Sequence, residues 1–167
     1  MLHTGRTVEE GLKEVAPLTQ EAPAATEKKP NPIVPFMKLP DGYPDEPAYL
    51  WGVVCKNCNA KYLGSRTACG NCGSTGPFEE TRFSDEGEIY SFAVVHQTVP
   101  GLEAPYVAAI VDLDDGVSVR ANVYGLDISK PGPEWFGKRV KMFTEKVRVD
   151  REGNDIIAAK FKVTDGT

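Results

Sequence analysis

The sequence predicts a mainly β protein, in which a rubredoxin-like zinc ribbon precedes a five-stranded OB-fold barrel and an extended N-terminal arm carries a short helix. Three observations predict this order. Four cysteines form two C-x-x-C pairs, eight of the thirteen prolines lie between positions 17 and 47, and five segments of strand-like sequence follow position 80. We therefore expect a helix and partner-binding arm over residues 1–49, a zinc ribbon over 50–80 and the barrel over 81–167.

The first element is a short amphipathic helix over residues 7–16. Thr7 and Glu10 form a capping box at its start. Its apolar face combines Val8, Leu12 and Val15. A helix of this length is not stable alone in water, so it either frays or docks on another surface.

The proline-rich stretch that follows is either a disordered linker or a segment that wraps another subunit. Proline at this density prevents regular helix and sheet and favours extended chain. An apolar run within the stretch is unlike a solvated tether. We therefore interpret the arm as partner-binding, and its expected contact residues are Val8, Leu12, Val15, Ile33, Val34, Phe36, Met37 and Leu39.

The four cysteines predict a zinc site. They form the pairs Cys55/Cys58 and Cys69/Cys72, whose two turns together offer four sulfurs in a tetrahedron around Zn²⁺. The residue after each pair needs a positive φ, which glycine adopts freely and asparagine tolerates. Two disulfides would need an oxidising compartment, whereas iron would use the same four ligands and remains an alternative.

Four thiolates close the coordination sphere of the predicted metal. No position remains open for water or substrate, so the expected single Zn²⁺ of each chain stabilises a small fold and takes no part in catalysis.

The barrel prediction comes from the segments after the ribbon. A long Gly- and Pro-rich connection between the third and fourth of them is typical of an OB-fold, although an SH3-like barrel or a small sandwich would give a similar pattern. Alternation in the first segment groups Tyr90 with Phe92, and the second is apolar enough for burial on both faces. The predicted strands are residues 89–97, 106–113, 117–124, 140–149 and 156–163.

Charge and composition argue against several functions. The net charge of −5 and pI of about 5.1 are unlike those of a nucleic-acid-binding protein. No apolar stretch approaches the ~20 residues of a membrane span, and no apolar run of a signal peptide follows the first residues. We expect a cytoplasmic protein with no membrane contact.

Catalytic motifs are absent from the sequence. There is no phosphate-binding glycine loop with a lysine, no G-x-S-x-G and no H-E-x-x-H. The two histidines are His3 and His96, and all four thiols are assigned to metal. His96 could act as a general base, but beside Tyr90 and Phe92 a structural role is the simpler interpretation. We expect no self-contained active site.

The chain resembles the acyl-CoA-associated family that has an N-terminal zinc ribbon and a C-terminal OB-fold. The resemblance is carried by the two cysteine pairs with Gly73 and Ser74, and by residues 87–96, 104–114 with Gly116, and 120–123. Two features depart from the family pattern: the segment between the cysteine pairs lacks a proline- and arginine-rich run, and the arm is long.

The resemblance implies a partner. Members of this family accompany thiolase-fold enzymes or hydratases as small accessory subunits, and within the family the chain is similar to the small subunits of benzoylsuccinyl-CoA thiolases of anaerobic toluene degradation. It implies a hetero-oligomer with a thiolase-fold catalytic subunit that shares a CoA thioester with this chain. The residues we expect to contact such a ligand are Tyr90, His96, Tyr106 and Arg120.

Two other functions remain open at this point. The chain could be a free-standing acyl-CoA carrier or sensor, with Arg120, Lys138 and Arg139 meeting phosphates at the barrel mouth. It could also be a module that binds single-stranded nucleic acid by stacking bases on Tyr90, Phe92 and Tyr124. The acidic barrel argues against the second function, because strand binding needs a positive groove.

Overall fold

The structure is a computed structural model, and it describes residues 29–99 and 103–164. The expected helix, with Val8, Leu12 and Val15, lies outside the described residues. Within them the chain forms ten strands and one turn of 3-10 helix at Pro133–Trp135. The strands are β1 (Asn31–Pro32), β2 (Met37–Lys38), β3 (Tyr49–Cys55), β4 (Lys61–Leu63), β5 (Phe78–Arg82), β6 (Glu86–Val95), β7 (Tyr106–Leu113), β8 (Ser118–Tyr124), β9 (Arg139–Val149) and β10 (Asp155–Val163).

The last five strands close into a barrel. Antiparallel pairs join β6 to β7, β7 to β8, β9 to β10 and β6 to β9, and a parallel pair joins β8 to β10. This closed order, in which the third and fifth barrel strands run parallel, is that of a five-stranded OB-fold barrel. The predicted fold class is confirmed, and the SH3-like barrel and the sandwich are excluded.

A β-bulge in β6 changes which side chains face the core. Ile89 is paired with Val111, and the next paired residue, Ser91, is opposite Ile110, so Tyr90 is the extra residue. Ile89 is buried and Phe92 packs against the same core, whereas Tyr90 is 65% exposed. Simple alternation grouped Tyr90 with Phe92, and this part of the prediction was wrong because a bulge reverses the facing of the residues that follow it.

The ribbon is built around β3, which pairs antiparallel with β2, β4 and β5. Gly52 lies in the middle of β3, and a Cβ on it would be 1.9 Å from the carbonyl oxygen of Tyr62 and 2.8 Å from the ring of Phe83. No other residue fits there without moving backbone, so Gly52 allows β3 to approach β4 and the start of the barrel closely.

Ribbon and barrel share one hydrophobic core. Leu50 of β3 and Phe83, which follows β5, belong to the same cluster of buried side chains as Ile89 and Phe161 of the barrel. The backbone N–H of Phe83 also donates to the carbonyl of Leu50 at 2.9 Å. The two units are therefore expected to stabilise each other.

The described part of the arm packs on its own chain. β1 adds to β10 as a parallel strand, and the hydroxyl groups of Tyr43 and Thr144 lie 3.1 Å apart. Met37, expected to contact a partner, is 2% exposed and belongs to the core of this chain, which corrects that expectation. Among the other residues of the arm expected to contact a partner, Ile33 is 45% exposed. Three further side chains are partly buried and pack against the core of this chain: Val34, Phe36 and Leu39.

Candidate functional site

Two matching loops present the cysteines. In the first loop the N–H of Asn59 donates to the carbonyl of Cys55 at 2.8 Å, and in the second the N–H of Gly73 donates to the carbonyl of Cys69 at 2.9 Å. Asn59 has a φ of 58° and Gly73 a φ of 72°. Both residues that follow the C-x-x-C pairs thus adopt the predicted left-handed backbone, which turns each loop so that its two sulfurs point the same way.

The four cysteine sulfurs form one cluster. All of them lie within 4.8 Å of one another, with Cys55 and Cys72 at 3.7 Å and Cys58 and Cys69 at 3.5 Å. Zn–S bonds of about 2.3 Å in a tetrahedron place sulfurs about 3.8 Å apart, whereas a disulfide needs about 2.05 Å. The geometry fits a four-coordinate metal and does not fit two disulfides.

The ionisation of the cluster points to a cation as well. A hydrogen bond from the Tyr62 hydroxyl lowers the pKa of Cys69 to about 6. The backbone N–H of Ser74 lowers the pKa of Cys72, but the neighbouring sulfur of Cys58 and burial outweigh it and raise this pKa to about 12. Because four adjacent thiolates repel one another, a bound cation is needed for all four to ionise together.

Polar side chains around the cysteines connect the two loops. The Tyr62 hydroxyl lies 3.3 Å from the sulfur of Cys69 and accepts the backbone N–H of Asn71 at 3.1 Å. The side-chain amide of Asn57 donates to the hydroxyl of Ser74 at 2.9 Å. Groups of this kind orient metal ligands. Sequence reasoning missed them, because β4 is too short to show a pattern that would orient Tyr62.

The four residues expected to bind a ligand do not converge. Tyr90 lies on the β6 bulge, and His96 is exposed just beyond the end of that strand. Tyr106 lines a cleft of about 210 Å³ with Tyr124, and Arg120 lines a larger cleft elsewhere. No contact tests their role as ligand-binding residues, which stays a prediction.

The larger cleft, here called the junction cleft, lies between the ribbon and the barrel and measures about 700 Å³. Sequence reasoning did not find it, because its walls come from segments far apart in the chain. It is lined by Pro35, Phe36, Trp51, residues 61–66 and residues 116–120.

Arg139, which the carrier hypothesis assigned to phosphate, is engaged within the barrel. Its guanidinium donates to both carboxylate oxygens of Asp114, at 2.6 and 2.8 Å. Hydrogen bonding to this guanidinium holds the pKa of Asp114 below its usual value. The pair joins the start of β9 to the turn between β7 and β8.

Among the described residues, no helix has the length and apolar character needed to cross a bilayer.

Comparison with known proteins places these features in a family. Residues 80–145 match the family model described as the ChsH2 C-terminal OB-fold domain. The chain is 34% identical over 116 residues to a DUF35 domain-containing scaffold protein of Methanocaldococcus jannaschii. The aligned region covers 68% of this chain and 80% of the relative.

Two further matches are proteins whose names state an enzyme. Benzoylsuccinyl-CoA thiolase subunit BbsA of Geobacter metallireducens is 34% identical over 116 residues, which cover 68% of this chain and 74% of that subunit. The solved structure titled Ltp2-ChsH2(DUF35) aldolase matches with a TM-score of 0.54 and 25% identity, covering 69% of this chain and 84% of that chain.

Proposed function

The chain belongs to the DUF35 family, and we propose that it is a non-catalytic accessory subunit of a thiolase-like acyl-CoA enzyme, with which it forms a hetero-oligomer. The observation that carries this proposal is the 34% identity to a thiolase subunit over 74% of that subunit's length. The match to one chain of an aldolase structure supports a role beside a catalytic partner in the same way.

The chemistry of the described residues agrees with a non-catalytic role. Thiolase-type catalysis needs a cysteine nucleophile with a base within hydrogen-bond reach. All four cysteines lie in one cluster, and in residues 29–99 and 103–164 the single histidine, His96, is exposed at a strand end. The partner would therefore supply the nucleophile and the bases.

We propose that the cysteine cluster holds one structural Zn²⁺. Cys55, Cys58, Cys69 and Cys72 would be its ligands, with Tyr62 orienting Cys69. Bound there, the metal would cross-link the two loops of the ribbon, and its binding free energy would add to the stability of the fold. Four sulfur ligands leave no position for substrate, so the metal's role is to stabilise the ribbon.

We extend the proposal to the substrate and the setting. The identity to the Geobacter subunit supports a benzoylsuccinyl-CoA type of thioester, and hence a role in anaerobic breakdown of aromatic compounds. A metal-bound thiolate cluster requires reducing conditions, which supports a cytoplasmic location. In such a complex, the half-buried Tyr106 of the barrel would help to shape the CoA or acyl site of the partner.

Reconstitution tests the proposal. The zinc-loaded chain and the catalytic subunit that co-purifies with it are produced separately and assayed, alone and mixed, for CoA-dependent cleavage of the acyl thioester. We expect no turnover by this chain alone and full activity only in the mixture. Turnover by the lone chain, or a catalytic subunit that neither binds this chain nor needs it, would overturn the proposal.

A further inference from the structure

The junction cleft lies between two strand edges that carry no ladder partner. One wall is β4 with the loop after it, and the other is the first half of β8. Among the described residues, β4 pairs only with β3, and β8 pairs with β10 only at Val123 and Tyr124. Free strand edges present unpaired backbone N–H and C=O groups, which an added strand can bind.

The hydrogen-bonding direction of β8 can be derived from its pairing with β7. The N–H of Leu113 donates to the carbonyl of Val117 at 2.8 Å, so the backbone of Val117 points toward β7. In an antiparallel ladder every second residue bonds to the same neighbour. Val119 is opposite Val111 and therefore also faces β7, which directs the N–H and C=O groups of Ser118 and Arg120 toward the cleft.

The same reasoning applies to the opposite wall. The N–H of Gly64 donates to the carbonyl of Trp51 at 3.0 Å, and Tyr62 is opposite Val53 in the register of β3 with β4. Residues of even number in β4 thus face β3. The backbone groups of Lys61 and Leu63 point away from β3, on the side of the free edge.

The cleft is also cationic. Lys61, Arg66 and Arg120 line it, no Asp or Glu occurs among its described lining residues, and none of the three cations forms a salt bridge with another described residue. The Lys61 ammonium donates to the backbone carbonyl of Asp115 at 2.6 Å, and Arg66 lies over the Tyr62 ring. This concentration of positive charge stands out in a chain of net charge −5.

Two carboxylates beside the start of β8, that of Asp112 opposite Ser118 and that of Asp115 in the turn before the strand, have partners of their own. Asp112 accepts the hydroxyl of Ser118 at 2.5 Å, and the carboxylate of Asp115 accepts the backbone N–H of Ser84. Neither forms a salt bridge with a lining cation. The positive charge of the cleft is therefore available to carboxylates from outside the chain.

We propose that the junction cleft binds an extended, acidic segment of the catalytic partner, which adds as a strand to the free edge of β8. This inference rests on the proposed function and names the surface through which the partner is held. The backbone of the segment would pair with Ser118 and Arg120, and its carboxylates would meet Lys61, Arg66 and Arg120. A phosphate group alone fits less well, because it offers only acceptors and leaves the strand carbonyls unpaired.

Residue-resolved hydrogen exchange tests strand addition directly. The exchange of backbone amides is measured on the isolated chain and on its complex with the co-purifying catalytic subunit. We expect the amides of Ser118 and Arg120 to exchange at least about tenfold more slowly in the complex. The amides of Val119 and Ala121 already bond to β7 and are expected to be slow in both samples, so protection gained at alternate residues identifies an added strand.

Charge reversal provides a second readout. Arg120→Glu places a negative charge in the cleft and is expected to weaken the complex about tenfold or more in Kd, with a smaller dependence on salt. Arg148→Glu is the matched control, because Arg148 is an exposed arginine on β9 that does not line the cleft and forms no ion pair with the described residues. Its Kd is expected to be that of the wild type.

Several results would overturn this inference. A complex that forms without protecting Ser118 and Arg120 would leave the proposed function standing and place the interface elsewhere. The same protection from inorganic pyrophosphate on the isolated chain would indicate a small anion, and protection that rises with the concentration of the chain alone would indicate a second copy. Failure to form any complex would overturn the proposed function and this inference together.

Discussion

The hydroxyl of Tyr62 lies 3.3 Å from the sulfur of Cys69 and connects β4 to the second cysteine loop. This contact joins the metal site to the wall of the junction cleft, since Tyr62 is also a lining residue there. The metal would stabilise the ribbon, and the ribbon supplies one wall of the junction cleft. Loss of the metal is therefore expected to disturb the proposed binding surface.

Tyr62→Phe removes this hydrogen bond and keeps the ring. We expect Zn²⁺ affinity to fall about 10- to 100-fold, because the ligand loses a group that orients it and favours its thiolate form. The stability of the zinc-loaded protein should fall by roughly 1 kcal/mol. Competition with a chromogenic chelator measures the first effect and urea unfolding the second. Tyr90→Phe, at an exposed tyrosine far from the cysteines in the chain, is the control, and an equal effect of both changes would contradict the assignment.

Removal of the metal should destabilise the barrel as well as the ribbon. Leu50 and Phe83 pack in one core with Ile89, so loosening the ribbon exposes apolar barrel surface. We expect chelation to lower the free energy of unfolding by several kcal/mol and to leave a single transition. Calorimetry with EDTA, against zinc-saturated EDTA as control, measures this. A barrel that melts at an unchanged temperature after the zinc has left would contradict a shared core.

Two apolar residues of the arm separate packing from partner binding. Met37→Ala should cost about 2–5 kcal/mol of folding stability, because its side chain is almost fully buried in this chain. Ile33→Ala, at a side chain that is 45% exposed, should change stability by no more than about 0.5 kcal/mol and yet weaken assembly with the partner. Urea unfolding and a binding titration on both variants measure these effects. Equal losses of stability, or undiminished assembly of the Ile33 variant, would contradict this division.

The ion pair between Arg139 and Asp114 gives a pH dependence of known sign. Hydrogen bonding to Arg139 lowers the pKa of Asp114 in the folded state. The pair therefore stabilises the fold fully above the ordinary aspartate pKa of about 3.9, and the stabilisation is lost as the pH falls through the lowered folded value. Asp114→Asn should be less stable than the wild type at pH 7, and the difference should be smaller at about pH 2.

Urea unfolding at both pH values gives the difference in free energy of unfolding between the wild type and the variant. Both proteins lose metal in acid, so this effect cancels in the difference. Asp41→Asn is the control, because Asp41 is exposed and forms no ion pair with the described residues. A difference for Asp114→Asn that is the same at both pH values would show that the ion pair does not cause it.

Much of the fold could be predicted because its signals are local. The spacing of Cys55, Cys58, Cys69 and Cys72 predicts that their sulfurs come together, and the four sulfurs form one cluster. The apolar run at residues 106–113 coincides with β7. The turn after β7 follows from its Asp-Asp-Gly sequence, which reverses an antiparallel pair readily. These features depend on neighbouring residues and need no knowledge of distant contacts.

The remainder depends on contacts between distant segments. No local pattern announces the bulge at Tyr90, which is set by how β6 meets β7 and β9. The apolar run around Met37 shows that these residues need cover, but it does not say whether their own barrel or a partner provides it. The junction cleft combines Phe36, Tyr62 and Arg120, so it exists only once ribbon and barrel are packed together.

Native mass spectrometry of the untagged protein from its own host tests the central claim most directly. The proposed function predicts a complex that contains a second chain of the size of a thiolase subunit, with one zinc ion for each copy of this chain. A monomer that carries zinc and has no companion at physiological salt would contradict the role as an accessory subunit.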